Sequence, residues 1–336
     1  MAPPGVDHSH VETLVARAAL ELHRGSVAEL INLFEDQRAS ARPSRAVALA
    51  ALGRHPARRR AVFIGVTGAP GAGKSTLVGE LATRLLGAQP SWRVAVLAVD
   101  PSSHLSGGAL LGDRTRVRIS SDERRFFFRS QASQTALGGL SPASYDVCRL
   151  LEGLFDCVFV ETVGVGQSEI DIRFLADTVY LVMTPLGGDE IQFLKAGVME
   201  IPDHVVLNKS DAKQAARRAY YALKGSLGLA RPEDADKMSV FRTSCVSGEG
   251  LAELSEHVAS RVAMAGDEGA QPPKLDREAY FFERWAVREW GQRGARYLDR
   301  ELGGGRQLLA RVSGYDAAQQ ALEAGFVAHL TATRTS

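Results

Sequence analysis

The chain has 336 residues, 45% of them apolar, enough for one large α/β domain with smaller helical appendages. Its 40 lysines and arginines stand against 39 acidic residues, so no charge excess calls for nucleic acid or a membrane surface. Cys148, Cys157 and Cys245 show no C-x-x-C spacing and leave one thiol over, the start lacks a secretory signal pattern, and no run approaches the ~18 apolar residues of a membrane span; a cytoplasmic chain with reduced thiols is the expectation.

Residues 1–58 read as a helical extension. Val11, Leu14, Val15, Ala18, Leu20 and Leu22 recur at helical spacing. A second helix is expected from Ser26, with Glu29 completing a capping box ahead of Leu30, Ile31, Leu33 and Phe34. The basic stretch 54–60 reads as a solvated linker. From about residue 59 to 268, short apolar runs alternate with helical stretches, the pattern of a doubly wound, mostly parallel sheet covered on both faces. Strands are expected at 61–67, 93–99, 126–129, 157–161, 178–183, 204–207 and 238–243. Residues 269–336 form a helical arm, with one long helix near 276–302 stopped by Gly303-Gly304-Gly305 and a last helix from Asp316 to Leu330. Tyr280, Phe281, Phe282, Trp285 and Trp290 point in many directions around the long helix, so either a second subunit or the arm's own domain must cover them.

The sharpest motif is Gly68-Ala69-Pro70-Gly71-Ala72-Gly73-Lys74-Ser75-Thr76, which fits G-x-x-x-x-G-K-[ST] between an apolar strand and a helix. Its glycines let consecutive N–H groups face a phosphate at the positive end of the following helix. Lys74 would neutralise the β- and γ-phosphates, and the Ser75 hydroxyl would ligate magnesium. A buried strand then ends in Glu161-Thr162-Val163-Gly164, where the carboxylate can hold the magnesium shell and the Gly164 N–H can sense the γ-phosphate. Asp100 at another strand end, and Asp113 in a glycine-bearing loop, are further candidates for the metal. Gln167 lies three residues past Gly164, so no water-positioning residue is assigned.

Asn208-Lys209-Ser210-Asp211 follows another strand in the N-K-x-D pattern. The Asp211 carboxylate can accept from guanine N1–H and the N2 amine, neither of which adenine offers, so the ligand is GTP or GDP rather than ATP. Lys209 would lie along the base, and Asn208 would tie this loop to the phosphate loop. Ser244-Cys245-Val246 would offer a backbone N–H to guanine O6, or else merely cap a helix.

With the motifs in this order, the chain resembles the MeaB/ArgK-type (MMAA-like) G-protein chaperones of adenosylcobalamin-dependent acyl-CoA mutases. The resemblance covers about residues 61–265. It rests on Asp100-Pro-Ser-Ser with Gly-Gly-Ala-Leu-Leu-Gly-Asp113, on Glu161-Thr-Val-Gly-Val-Gly-Gln-Ser-Glu169, and on Gly188-Asp189-Glu190 with Lys195-Ala-Gly-Val-Met-Glu200. It implies Mg²⁺ and GTP binding by a homodimer, GTP hydrolysis, and control of cofactor loading or rescue in a mutase. It also implies a partner-signalling segment around 187–200, with Asp189, Glu190 and Lys195 as contacts. Members usually carry Ser-x-Arg-Gly-x-Leu-Gly-Gly where this chain has Ser130-Gln-Ala-Ser-Gln-Thr-Ala-Leu-Gly-Gly139, so the partner surface is expected to be tuned differently. The alternatives are a related metal-delivery or targeting GTPase, or a P-loop kinase linked to amino-acid transport. Only His8 and His10 lie close together, five methionines are few for a targeting domain, and N-K-x-D argues against ATP.

Overall fold

The computed structural model of the protein describes residues 8–101, 119–120, 122–133, 140–162, 168–185, 201–230, 238–264, 274–312 and 314–332. Seven apolar segments pair into one sheet in which every pairing is parallel: β1 (Val62–Thr67), β2 (Val94–Pro101), β3 (Phe126–Ser133), β4 (Cys157–Thr162), β5 (Thr178–Met183), β6 (His204–Leu207) and β7 (Val240–Arg242). The spatial order is β3-β2-β4-β1-β5-β6-β7. All seven overlap the expected runs, because strands covered on both faces read as unbroken apolar stretches; β4 runs one residue past its expected end, β2 two, and the edge strand β3 four, through mostly polar residues that carry no apolar signal. The register sets Val66 opposite Glu161 and Thr67 opposite Leu181, so the loops after β1, β4 and β5 leave the sheet side by side.

The helices are α1 (His8–Glu21), α2 (Arg24–Glu35), α3 (Arg42–Arg54), α4 (Lys74–Ala88), α5 (Pro142–Leu151), α6 (Ser168–Leu175), α7 (Lys213–Ala230), α8 (Leu251–Met264), α9 (Lys274–Leu302), α10 (Gly305–Arg311) and α11 (Tyr315–Ala332). In α4, Leu77, Val78, Leu81, Ala82, Leu85 and Leu86 repeat at three- and four-residue steps and are all buried. They pack with Val62, Ile64, Val96 and Phe159 on one face of the sheet, together with Leu251, Leu254 and Val258 of α8. Burying each such leucine contributes about 1.5–3 kcal/mol. The opposite face, through Phe63, Ala95, Leu97, Val158 and Val160, shares one core with α1, α2, α5, α9 and α11. Residues of the two terminal regions thus meet under the same side of the sheet.

Several local expectations needed correction. Helix α2 begins at Arg24, two residues before Ser26: Leu22 adopts φ 50°, His23 is extended, and His23 Nδ1 accepts from the Ser26 N–H at 3.2 Å as the N-cap. Ser26 is therefore buried inside the first turn instead of capping it. Leu20 is 59% exposed, because α1 buries the stripe Val11, Leu14, Val15, Ala18 and Ala19, and a residue two places beyond Ala18 lies on the far side. The arm aromatics are covered by this chain itself. Phe281 stacks on Tyr145 with centroids 4.4 Å apart, Tyr280 stacks on Phe174 at 3.8 Å, and Trp290 meets Phe326 edge-on at 5.5 Å. Phe281 and Phe282 are fully buried. The long helix is also broken at Gly291 (φ 61°), and α10 was not anticipated because seven residues carry too little periodicity to read.

A pH response is built into the β5–β6–α8 edge. His204 and His257 lie with rings 4.5 Å apart, the Tyr180 hydroxyl is 2.8 Å from His257 Nδ1, and Arg261 is close by. Burial first, then His257 and Arg261, push the His204 pKa down to about 4; burial and Arg261 lower that of His257. A depressed folded-state value means that the unfolded chain takes up protons from about pH 6.5 downward while the folded chain refuses them. Stability is expected to fall by about 2 kcal/mol between pH 6.5 and pH 4 from His204, allowing for its partial solvation. Urea unfolding at both pH values, with His204→Gln flattening the difference, is the check.

Candidate functional site: a phosphate cradle and a base-reading loop

The site is assembled at the carboxyl ends of the central strands, where open parallel sheets place their ligands. The chain leaves β1 at Gly68, whose φ of 141° and position against the Val182 carbonyl tolerate no side chain, since a Cβ there would lie 2.1 Å from that oxygen. Gly71 (φ 79°) and Gly73 (φ 89°) carry the loop around, and Gly73 is the residue preceding α4. Left-handed values at these positions cost a side-chain residue strain that glycine escapes. The loop therefore closes over the first turn of α4 with backbone amides at a positive helix end.

Lys74 is 5% exposed, and its ammonium donates to the Gly68 carbonyl at 2.8 Å and the Ala69 carbonyl at 3.0 Å. The cation is thereby held against the loop it serves. The Ser75 hydroxyl donates to Glu161 Oε1 at 2.7 Å, and both side chains are buried. The pairing follows from strand order: β4 neighbours β1, so a carboxylate ending β4 meets a hydroxyl on the helix after β1. Thr162 and Thr67 join the same two strand ends through their hydroxyls at 3.1 Å. A hydroxyl beside a carboxylate at the mouth of a phosphate loop is the hard-oxygen donor chemistry that magnesium takes, and magnesium needs few protein ligands. Among the described residues no three His, Cys, Asp or Glu side chains converge on a metal position. Ala72 is buried under the loop, while Pro70 and Thr76 are exposed at its surface.

The N-K-x-D loop is tied to the glycine-rich loop by one side chain. Asn208, 2% exposed at the end of β6, donates from Nδ2 to the Ala72 carbonyl at 2.9 Å. Its Oδ1 accepts from the Thr243 hydroxyl at 3.2 Å and faces Cys245 Sγ at 3.8 Å. The fit is close enough that a Cβ on Gly73 would lie 2.5 Å from Asn208 Nδ2. Lys209 adopts φ 59°, an uncommon conformation for a lysine, which turns the chain sharply between Asn208 and Asp211. The Ser244 hydroxyl donates to Asp211 Oδ1 at 2.8 Å and accepts from the Val246 and Ser247 amides, at 3.3 and 3.2 Å. Ser244 thus orients the carboxylate and closes its own loop at once. Val246 projects into solvent, and burial pushes the Cys245 thiol pKa up to about 11, which leaves it a poor nucleophile.

Thr243 was missed from the sequence. It precedes the Ser-Cys-Val segment in a strand end too short to carry a pattern, and only the β6–β7 pairing sets it against Asn208. Asp100 lies next to last in β2, opposite Ala132, and its backbone alone is described. Asp113, Gly164, Gln167, Asp189, Glu190 and Lys195 lie outside the described residues. Replacing Asn208 by alanine is expected to cost about 2 kcal/mol, because the Ala72 carbonyl and Thr243 hydroxyl lose their partner in a dry position. A thermal melt, with a parallel titration by fluorescent guanine nucleotide weakened about tenfold by the unanchored loop, would measure both effects.

Fold and site together define a P-loop GTPase. The family model described as methylmalonyl-CoA mutase-associated GTPase MeaB matches residues 27–289, and the chain belongs to that family. A protein of Pyrococcus horikoshii named as a GTPase is 41% identical over 240 residues, covering 70% of this chain and 73% of its own. The mouse protein named methylmalonic aciduria type A homolog, mitochondrial, is 40% identical over 195 residues, covering 57% of this chain and 46% of its own. Among solved structures, that of a LAO/AO transport system kinase superposes with a TM-score of 0.63 at 21% identity, covering 96% of this chain and 99% of that one, a likeness of fold. No helix among the described residues is long and apolar enough to cross a membrane.

Proposed function

We propose that the chain binds GTP with magnesium and spends its hydrolysis on gating a cobalamin cofactor into, out of, or within an adenosylcobalamin-dependent acyl-CoA mutase. The observation that carries this reading is Asn208, whose one amide ties the base-reading loop to the phosphate cradle, so that purine and phosphates are read across a single crevice. The loop amides after Gly68 and the ammonium of Lys74 hold the β- and γ-phosphates. Ser75 and Glu161 would hold the magnesium ion, with Asp100 and Asp113 as further candidates; when bound, the ion neutralises charge that develops on the phosphates. Asp211, aimed by Ser244, selects guanine, with Lys209 along the base and the Ser244–Val246 turn beside O6.

The coupling to a client runs through the segment after Glu161. Gly164 senses the γ-phosphate, its release on hydrolysis frees that segment, and Asp189, Glu190 and Lys195 pass the change to the mutase. The family description, which names a methylmalonyl-CoA mutase, supports the client class. In this reading the protein is a cytoplasmic homodimer whose slow intrinsic hydrolysis the client accelerates. Metal delivery is less well supported, since His10 is 2.8 Å from Glu29 on the outer surface of the helical extension. A kinase role draws on a likeness of fold alone.

The test is a reconstitution with purified methylmalonyl-CoA mutase. The GTPase rate is expected to rise about tenfold or more on adding the mutase, and cobalamin transfer to depend on the nucleotide supplied. Absence of co-elution, together with an unchanged rate in every nucleotide state, would remove the mutase as client while leaving the GTPase itself intact.

A further inference from the structure

A cavity of about 220 Å³ opens at the end of the sheet opposite the phosphate loop. Phe63 near the start of β1, Leu175 at the end of α6, Arg149 of α5, Arg277 of α9 and Tyr315 at the start of α11 all face it. Phe63 and Gly68 are five residues apart on an extended strand, so the cavity lies roughly 17 Å from the cradle. It is a separate place in the fold, where the helical extension, the sheet and the arm meet.

Its chemistry is unusual for a packing gap. Tyr315 is 2% exposed, and its hydroxyl meets no hydrogen-bond partner among the described residues. Arg277 is 8% exposed; Nη2 donates to Asp177 Oδ1 at 2.5 Å, but its Nε–H likewise meets no partner among the described residues. Arg149 is already engaged by Asp316 and Asp146 and lies over the Tyr315 ring at 4.7 Å, so it fixes the tyrosine rather than offering itself. A guanidinium N–H can only donate and a phenol O–H donates readily, so a group that satisfies both must bring acceptor oxygens. Tyr315 and Arg277 both border the cavity, and the buried Tyr315 hydroxyl above all calls for an acceptor that a ligand placed there would bring.

Charge and size narrow the class. Glu152 and Glu278 border the same cavity and offset its arginines, which disfavours a doubly charged phosphate. Leu49 of α3, half-buried at the cavity's border, offers apolar wall to a hydrocarbon tail beside Phe63 and Leu175. The volume of about 220 Å³ lies below the ~300–1,000 Å³ of pockets that take drug-sized ligands, which suits a small molecule. We propose that this cavity is a binding site for a small singly charged organic carboxylate, its carboxylate taken by Tyr315 and Arg277 and its short chain lying on Phe63 and Leu175. Because Leu175 ends the helix that follows the Glu161 segment, an occupant there would stiffen the base of α6.

The experiment is a ligand-detected NMR titration of the full chain with butyrate, with succinate and inorganic phosphate as comparisons. Butyrate is expected to bind saturably with Kd of about 1 mM, and succinate and phosphate at least tenfold more weakly. Tyr315→Phe, which removes one oxygen, and Arg277→Lys, which keeps the charge but removes the Nε–H, are each expected to weaken butyrate about tenfold, and Leu49→Trp to block the cavity outright. Circular dichroism verifies that each variant is folded, and Tyr315→Phe alone suffices should the others fail that check. Absence of saturable butyrate binding, equal binding of phosphate, or binding indifferent to Tyr315→Phe in folded protein would each overturn the proposal. None of these outcomes depends on the nucleotide or on a mutase.

Discussion

Replacing Asp211 by asparagine is expected to lower GTP affinity by about 10³–10⁴-fold and to create a preference for xanthosine triphosphate. The carboxylate is an acceptor on both oxygens. One is held by the Ser244 hydroxyl at 2.8 Å, so the side chain stands in one orientation before any base arrives. Guanine presents two donors to such a group; an adenine edge offers neither and leaves a charged acceptor desolvated, whereas inosine keeps N1–H and lacks only the amine. An asparagine of the same shape offers an amide N–H in place of one acceptor. Guanine's N2 amine then meets a donor, whereas the carbonyl that xanthine carries at this position is matched. Calorimetric titration of wild type and Asp211→Asn with the four purine nucleoside triphosphates reads the switch directly; equal affinities of the wild type for GTP and ATP would remove the base-reading role of this loop altogether. Ser244→Ala is expected to produce a milder loss of about tenfold, since the carboxylate remains but is no longer aimed.

Removing the ammonium of Lys74 is expected to reduce hydrolysis by about 10²–10³-fold and to weaken triphosphate binding more than that of guanosine. The cation sits at the start of α4, buried to 5% and pinned over the loop by the Gly68 and Ala69 carbonyls. Its position is thus set in advance, and a charge placed in advance within a poorly solvated cleft stabilises developing charge at little reorganisation cost. Lys74→Met keeps the stem and its packing while deleting the charge, so a folded but inactive protein is the expected result. Single-turnover hydrolysis, measured with magnesium in excess, separates this from a simple loss of affinity. Should Lys74→Met hydrolyse GTP at the wild-type rate, the loop has no part in the chemistry. Ser75→Ala is expected instead to shift the magnesium dependence to higher concentrations, because the Glu161 carboxylate loses the hydroxyl paired with it.

Both predictions involve residues that sequence reasoning finds easily, and the reason is physical. A phosphate cradle needs glycines wherever φ is positive and a lysine at the helix start, so its requirements are local and appear as spacing along the chain. The same holds for the strands, whose burial on both faces leaves unbroken apolar runs from Val62 to Thr67 and from Thr178 to Met183. Local reasoning failed where two nearby signals competed. Ser26 with Glu29 resembles a helix start, but Leu22 turns the chain early and hands the cap to His23. For the arm aromatics the sequence left both a second subunit and the chain itself open as cover, because it does not reveal how many faces there are. Tyr145, Phe174 and Phe326 come from three other helices to cover them.

From the order of its residues this protein specified a parallel α/β sheet, a glycine-rich turn ahead of α4 and an N-K-x-D loop after β6, since each depends on backbone conformation and side-chain type within about ten residues. It did not specify which loops would meet. That Ser75 faces Glu161, that Asn208 reaches the Ala72 carbonyl, and that Thr243 backs Asn208 all follow from the strand order β3-β2-β4-β1-β5-β6-β7. Strand order is a property of long-range packing, in which a pairing such as Ile64 with Thr178 is chosen by the joint burial of segments far apart in the chain, and no local pattern encodes it. The cavity bordered by Tyr315 and Arg277 belongs to the same class: its walls come from both ends of the chain, and only folding brings them to one place.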